Sequence, residues 1–383
     1  MQLLAKQRIA LSSFFFLAGL TFASWTSRIP TLKTALNMNE AQLGTTLLVM
    51  PVSSFIGLGL AGWLIEKYES RWPLLWSFCF LTVFIILIGK SDTILFFSVA
   101  IFLFALANRV LNIAINTQAI NLQNLYPKKI NGSFHGLWSV GGIAGVGTTT
   151  LMVANEIGIE AHFYFISALT LICTTVLFTI LLKNDKSKTA GKIVWKKPDP
   201  VILILGLIIL LTATVEGGMF DWSGIYFKDV VHVDIFTMGY FIFMTFMAIS
   251  RFTSDWIISH LGMKKMFVLS ASTIAVGLAI AVIFPFFIPA MVGFSLVGIG
   301  TASVIPMTLT LTGNSTKYSP GIAISLVSTF AMVGVLTAPP LIGFLAHFFG
   351  LRVSFIFLIM SSLAIIPASA KFFKLKESLK TGI

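Results

Sequence analysis

Twelve long apolar runs, separated by short polar breaks, dominate this 383-residue chain. They lie near 9–28, 42–65, 73–89, 93–117, 132–154 and 161–182, and then near 200–222, 236–258, 266–284, 288–312, 320–344 and 351–370. A bilayer core of about 30 Å is crossed by about 20 apolar residues in a helix, which is the length of these runs. Charged residues make up only 10% of the chain and hydrophobic residues 57%. A water-soluble domain carries about 25% charged residues, so this chain cannot cover a globular surface in water. A soluble enzyme is excluded, and no enzymatic activity is expected. The first run, with Lys6 and Arg8 before it and Ala23-Ser24 after it, has the outline of a secretory leader. Its length and its eleven equally apolar successors read instead as a retained helix.

The formal charge of +12 invites a nucleic-acid reading, but its distribution argues otherwise. With the N-terminus in the cytoplasm, nineteen lysines and arginines fall on the cytoplasmic side. Five (Arg28, Lys33, Lys90, Lys228 and Arg352) fall on the other, and Arg109 and Arg251 lie in or at the edge of the membrane. This is the positive-inside pattern, and it places both termini in the cytoplasm. The charge therefore reports topology, and no nucleic-acid partner is expected. Lys183 to Pro198 is the longest polar stretch and carries six lysines. It reads as a cytoplasmic linker (183–199) between an N-terminal six-helix bundle (1–182) and a C-terminal one (200–383). Two halves of similar length fit a duplicated carrier whose repeats are related by an axis along the membrane normal.

The two cysteines, Cys79 and Cys173, lie inside apolar runs, and the five histidines are scattered singly. Neither a disulfide framework nor a metal site nor any cofactor is expected. No phosphate-binding loop of the GxxxxGK[ST] type occurs, which disfavours ATP-driven transport by this chain alone.

Ionisable groups inside membrane helices are costly and point to function. Asn108, Asn112 and Asn116 recur every four residues in the fourth run, with Arg109 beside them. Such a stripe is expected to face an aqueous cavity, the amides suiting hydroxyls and carbonyls and the guanidinium suiting a carboxylate or phosphate. Its alternative role is to join helices. In the seventh run Glu216 precedes Gly217 and Gly218, which permit a break or a close approach, and Asp221 and Trp222 follow a turn later. A carboxylate in a water-poor cavity can take up and release protons near neutrality, so Glu216, then Asp221, are the expected proton-coupling groups. The alternative is a fixed ion pair, Glu216 with Arg109 or Asp221 with Arg28. His135, at the start of the fifth run, is a third group able to relay a proton. Trp25, a turn before Arg28, and Trp138 could offer aromatic walls to a sugar-like ring, or serve as interface anchors. Trp25, Arg28, Asn108, Arg109, Asn112, Asn116, Trp138, Glu216 and Trp222 are thus the expected solute contacts.

After the second run the chain reads GWLIEKYESR, Gly62 to Arg71. This resembles the loop signature of the major facilitator superfamily: a Gly, an acid four residues on (Glu66), then basic residues (Lys67 and Arg71). Glu69 stands where the family usually has Gly. After the eighth run RFTSDWIISHLGMKK, Arg251 to Lys265, sits where the repeat of that signature belongs; Gly262 and Lys264 fit, while Ser259 takes the acid position. Asp255, four residues after Arg251, shares its helix face and could pair with it. ASWTSRIP, NGSFHGLWSVGG and EGGMFDWSGIYF further resemble a little-characterised bacterial branch, distantly similar to the fucose-permease type of sugar–proton symporter.

The resemblance implies an all-α membrane protein of twelve transmembrane helices in two pseudo-symmetric six-helix bundles. It also implies that Gly62, Glu66, Lys67, Arg71, Arg251, Asp255 and Lys264 form cytoplasmic latches, made and broken as the halves rock. The expected function is secondary active transport of a small polar organic solute, sugar-like or carboxylated, across a bacterial cytoplasmic membrane. Proton symport by a monomer is the expected mode. An efflux carrier for amphipathic compounds and a non-transporting membrane sensor remain as alternatives at this point.

Overall fold

In hydrocarbon, backbone N–H and C=O groups have no water to bond, so an apolar run of this length must satisfy them internally as a helix. The computed structural model describes residues 2–127, 130–183, 185, 200–313 and 320–381. Among them there is no strand, and the helices are α1 (Gln2–Thr26), α2 (Ile29–Ala35), α3 (Glu40–Leu47), α4 (Val49–Lys67), α5 (Arg71–Gly89), α6 (Ile94–Gln123) and α7 (Asn131–Ala154). They continue with α8 (Ile159–Phe178), α9 (Pro200–Asp229), α10 (Met238–Leu261), α11 (Met263–Ile283), α12 (Phe287–Gly313), α13 (Pro320–Phe349) and α14 (Leu351–Thr381).

Two of the helical rods are interrupted, each beside a proline. The first stops at Ser27-Arg28, where the Arg28 amide bonds only three residues back to the Trp25 carbonyl, and Pro30 opens α2. Proline is well placed there because the first helical turn has amides without partners. The second is interrupted at Leu48, which bonds back to Thr45; Pro51, in the first turn of α4, has no N–H to continue the ladder to Leu47. Joining each pair gives twelve helical rods among the described residues, eleven of them long and apolar enough to cross a membrane. The remaining rod is α10, whose C-terminal half carries Arg251, Asp255 and several hydroxyls.

The chain divides into two compact units, Met1–Met38 with Thr45–Lys192, and Asn39–Gly44 with Ile193–Ile383. Most of the expected linker, including Lys186 to Asp199, lies outside the described residues. Each unit repeats one pairing scheme. In the first, α1 packs on α7, α4 on α6, and α5 on α6 and α8. In the second, α9 packs on α13, α10 on α12, and α11 on α12 and α14. First with fifth, second with fourth, third with fourth and sixth: the duplication suggested by the run lengths recurs in the contacts.

The first–fifth pair is closely packed in both units, and glycine makes it so. A β-carbon on Gly141 in α7 would overlap the Phe16 carbonyl of α1, and one on Gly334 in α13 would overlap the Leu210 carbonyl of α9. Lipid tails offer no hydrophobic drive for helices to associate, so close backbone approach and van der Waals contact must supply it. Gly217 takes part, since a β-carbon on it would come within 3.0 Å of the Val335 Cα, while one on Gly218 would meet Ile342 and Leu358. The two glycines therefore serve close approach and not a break, and α9 runs unbroken through them. Many hydroxyls inside the units bond locally or across helices, as in Ser167 to the Thr82 carbonyl and Ser250 to the Ile299 carbonyl.

Gly141→Ala is expected to force α1 and α7 apart and cost about 1–3 kcal/mol, the usual scale of overpacking. Thermal unfolding in detergent should show a lowered Tm for it, and none for Gly59→Ala, whose added β-carbon meets nothing within 4 Å.

Candidate functional site

In the first unit the polar stripe forms on α6 as the spacing demands. Asn116 Nδ2 donates to the Asn112 carbonyl at 2.7 Å and to Asn112 Oδ1 at 3.3 Å. Asn112 is exposed, and Asn108, Arg109 and Asn116 are half-buried. Arg109 stands at the middle of α6 with its stem across Gly57 of α4, where a β-carbon would come within 2.9 Å of Arg109 Cβ. Its buried Nε has no hydrogen-bond partner, and among the described residues nothing accepts from the guanidinium.

Two expected solute contacts in this unit take other roles. Trp25 is fully buried, with its ring against Phe97 and Phe104 at 5.8 and 6.2 Å, so it is a core side chain and not a cavity wall. Arg28 is buried at the end of α1, where Nε donates to His162 Nδ1 at 3.3 Å and Nη2 to the Ile157 carbonyl at 2.8 Å. It stitches α1 to the start of α8 and satisfies a loop carbonyl, which engages its donors locally. Trp138 is half-buried with its ring 6.2 Å from Phe22, and His135 is exposed with Phe15 against its ring edge at 5.4 Å.

In the second unit Glu216, at the middle of α9, meets Arg251 of α10: Arg251 Nη2 donates to Glu216 Oε1 at 3.4 Å. Their side chains are 12% and 33% exposed, so the pair is largely withdrawn from solvent. The partner of Glu216 is thus Arg251, where Arg109 had been the sequence-based alternative. Arg251 also approaches Met247 Sδ at 3.6 Å. Asp221, a turn further along α9, is half-buried and forms no hydrogen bond or ion pair with any described residue. Trp222 is fully buried and joins the core, which removes it from the solute contacts in the same way as Trp25.

The loop signature also differs from its expected pairing. Arg71 bonds Glu69, Nε to Oε2 at 2.6 Å, and lies over the rings of Trp72 and Phe178. Glu66 and Gly62 are exposed, and the Lys67 ammonium lies over Trp63 and Tyr68. Glu69, the residue that departs from the family pattern, holds the arginine because the tight turn brings it into reach. In the second copy Gly262 ends α10 with φ +76°, a conformation that favours glycine, and Lys264 is exposed. The Asp255 side chain lies outside the described residues.

Sequence reasoning passed over Asp185. This acid, buried just beyond α8, accepts from the Ser70 amide at 3.0 Å, the Ser70 hydroxyl, Gln118 Nε2 at 3.0 Å and Asn121 Nδ2 at 3.4 Å. It ties the start of α5 and the end of α6 to the chain leaving the first unit. A carboxylate at a helix start is favoured by the free amides and the dipole there. Among the described residues no group of three His, Cys, Asp or Glu could hold a metal ion.

Membrane-length helices, a duplicated six-helix pairing scheme and charged groups at mid-helix define a multi-pass helical transporter. The family model of the Major Facilitator Superfamily matches residues 9–319 and 256–382, and the chain belongs to that superfamily. An uncharacterised MFS-type transporter of Yersinia pestis is 29% identical over 91% of this chain and 91% of its own length. The membrane protein MosC of Rhizobium meliloti is 28% identical over 94% and 88%. Among solved structures, a variant of the nucleoside transporter NupG superposes with TM-score 0.79 at 14% identity, over 96% of this chain and all of that one. A bacterial homologue of the lysosomal transporter Spinster, inward-facing and unoccupied, gives 0.76 at 12% identity, over 97% and 98%. At these identities the structures speak for the fold.

Asp185→Ala leaves the buried Ser70 amide and hydroxyl without their acceptor, each such loss costing about 1–3 kcal/mol, while Gln118 keeps the Leu182 carbonyl. The expected result is a lower Tm and faster proteolysis between 183 and 199; Asp185→Asn should recover part of both.

Proposed function

We propose that this protein is a proton-coupled symporter of a small polar organic solute, sugar-like or carboxylated. In this reading it is a monomer in a bacterial cytoplasmic membrane with both termini inside. The observation that carries the reading is an asymmetry between two arginines. Arg251 in the second unit has a carboxylate partner, Glu216, whereas Arg109 in the first has none among the described residues.

A membrane-buried guanidinium without a counter-charge is costly, so Arg109 with its amide stripe is suited to an anionic or hydroxyl-bearing solute that supplies acceptors. The Glu216–Arg251 pair supplies the coupling. A proton arriving on Glu216 removes the charge that faces Arg251, so it weakens this contact and favours whichever state answers the guanidinium better elsewhere. Such a differential between states is what lets a ligand shift a two-state equilibrium. Asp221 and His135 are secondary candidates for proton relay. The signature loops, with Gly62, Glu66, Lys67 and Arg71 in one and Arg251, Asp255 and Lys264 in the other, act as gating elements.

Uptake into proteoliposomes under an imposed pH gradient, with a panel of small sugars and carboxylates, tests the reading. Glu216→Gln fixes the neutral form, so it should abolish gradient-driven accumulation while solute exchange at equal pH persists. A Gln variant that still concentrates solute would remove Glu216 from the coupling. Arg109→Ala should weaken solute binding at least tenfold, the scale of a charge-assisted contact of about 1.5–3 kcal/mol. Unchanged binding by a variant with native Tm would remove Arg109 from the site.

A further inference from the structure

Within the first unit, α1, α7 and α8 leave between them a groove of about 850 Å³. Its walls are apolar, with Ile9 and Phe16 of α1, Leu137 of α7, and Leu169 and Leu177 of α8. Large apolar side chains beside it stand open to the surroundings, Ile9 being 65% exposed and Ile172 and Val176, next to Cys173 on α8, 63% each. One end is different. There the Arg8 guanidinium lies 5.9 Å over the Tyr126 ring and donates to Ser133 Oγ at 3.4 Å. Tyr126 in turn donates to the Leu4 carbonyl at 2.8 Å, which holds the first turns of α1 against the end of α6. Lys6 is exposed nearby on α1.

We propose that this groove binds an anionic phospholipid, with one acyl chain along the groove and the phosphate on Arg8. Three features select that occupant. The first is charge: neither α1 nor α7 contains an acidic residue, and in α8 the one acid is Glu160, in the first turn, far along the helix from Leu177. Arg8 thus has no carboxylate partner among the described residues and fits a phosphate, which Arg engages through several donors. The second is length. Ala5 to Leu17 covers twelve helical steps of about 1.5 Å, or about 18 Å. One leaflet of a core about 30 Å thick is about 15 Å deep, so the groove spans one leaflet. The third is the polar order along α1. Ser12 lies one turn, about 5.4 Å, deeper than Arg8 on the same helix face, lines the groove, and has a hydroxyl with no partner among the described residues. In a phospholipid the ester carbonyls follow the phosphate at about that depth, and Ser12 is placed to donate to one. Basic pockets between membrane helices on the cytoplasmic side are the expected setting for anionic headgroups.

The test uses the full-length protein in nanodiscs and phospholipids carrying a photoreactive diazirine in the acyl chain. Phosphatidylglycerol is expected to crosslink to the 169–177 segment of α8 severalfold more than phosphatidylethanolamine, and native mass spectrometry should retain it as an adduct. Arg8→Gln should erase the preference between the two lipids while leaving residual crosslinking by both. Leu137→Trp, which fills the groove without touching the basic end, should abolish crosslinks in 169–177 but not elsewhere. Excess glycerol 3-phosphate, which offers the same phosphate without chains, should not compete. Equal crosslinking by both lipids, a preference that survives Arg8→Gln, crosslinks that survive Leu137→Trp, or competition by glycerol 3-phosphate would each overturn the proposal.

Discussion

Hydrocarbon neither hydrates a polar group nor drives apolar surfaces together, and both halves of that statement shape this protein. Because the solvent drives nothing together, the helices must hold one another by contact. That is why the first–fifth pairs rest on glycine, with carbonyls of α1 and α9 set where Gly141 and Gly334 have no side chain. Carbonyl oxygens this close to a neighbouring Cα also gain weak C–H···O attraction, which recurs at helix–helix interfaces. A leucine at either position would fit the composition and defeat the fold.

The same solvent dictates what happens to each arginine in or beside a helix. Arg28 and Arg352 satisfy backbone carbonyls, Arg28 that of Ile157 in the loop before α8 and Arg352 those of Val282 and Ile283, which close the C-terminus of α11. The last carbonyls of a helix have no partners within it, so a guanidinium there meets an existing need. Arg251 meets a carboxylate. Arg109, over its glycine notch on α4, meets neither. Ranked by how completely their surroundings answer them, the four run from fully engaged to unanswered, and this ranking depends on partners that no sequence spacing reveals.

The extent of each rod was legible because length and hydropathy determine it: α5, α7 and α12 begin and end within two residues of their expected limits. The interruption at Leu48 was hidden inside an apolar run, although Pro51 marked it, whereas the one at Arg28 fell at a run's expected end and the unforeseen part is the continuation as α2. Facing was harder. In a soluble helix an apolar stripe identifies the buried side, but here lipid and protein interior are both apolar, so Trp25 and Trp222 carried no sign that they belong to the core. Long-range pairs were harder still. Glu216 and Arg251 are 35 residues apart on different helices, and helix periodicity speaks only to neighbours three and four apart. Asp185 stood among linker lysines, where an acid reads as a solvated charge. Its burial follows from donors at Ser70, Gln118 and Asn121 that converge on it from two other helices.

Duplication of the packing did not carry duplication of the chemistry. The fourth helix of the first unit, α6, holds Arg109 and four asparagines, while its counterpart α12 contains no charged residue. The first helix of the second unit, α9, holds Glu216 and Asp221, while α1 has no charged residue between Arg8 and Arg28. Contacts between helices constrain every residue along an interface, so a repeated pairing scheme persists only while small residues stay where backbones cross. A polar group at mid-helix is constrained by its own few partners. Once the scaffold is set by glycine contacts, a charge can appear on one copy without any need for its equivalent on the other. Two similar units can thus present dissimilar groups, a guanidinium with amides in one and a carboxylate–guanidinium pair in the other.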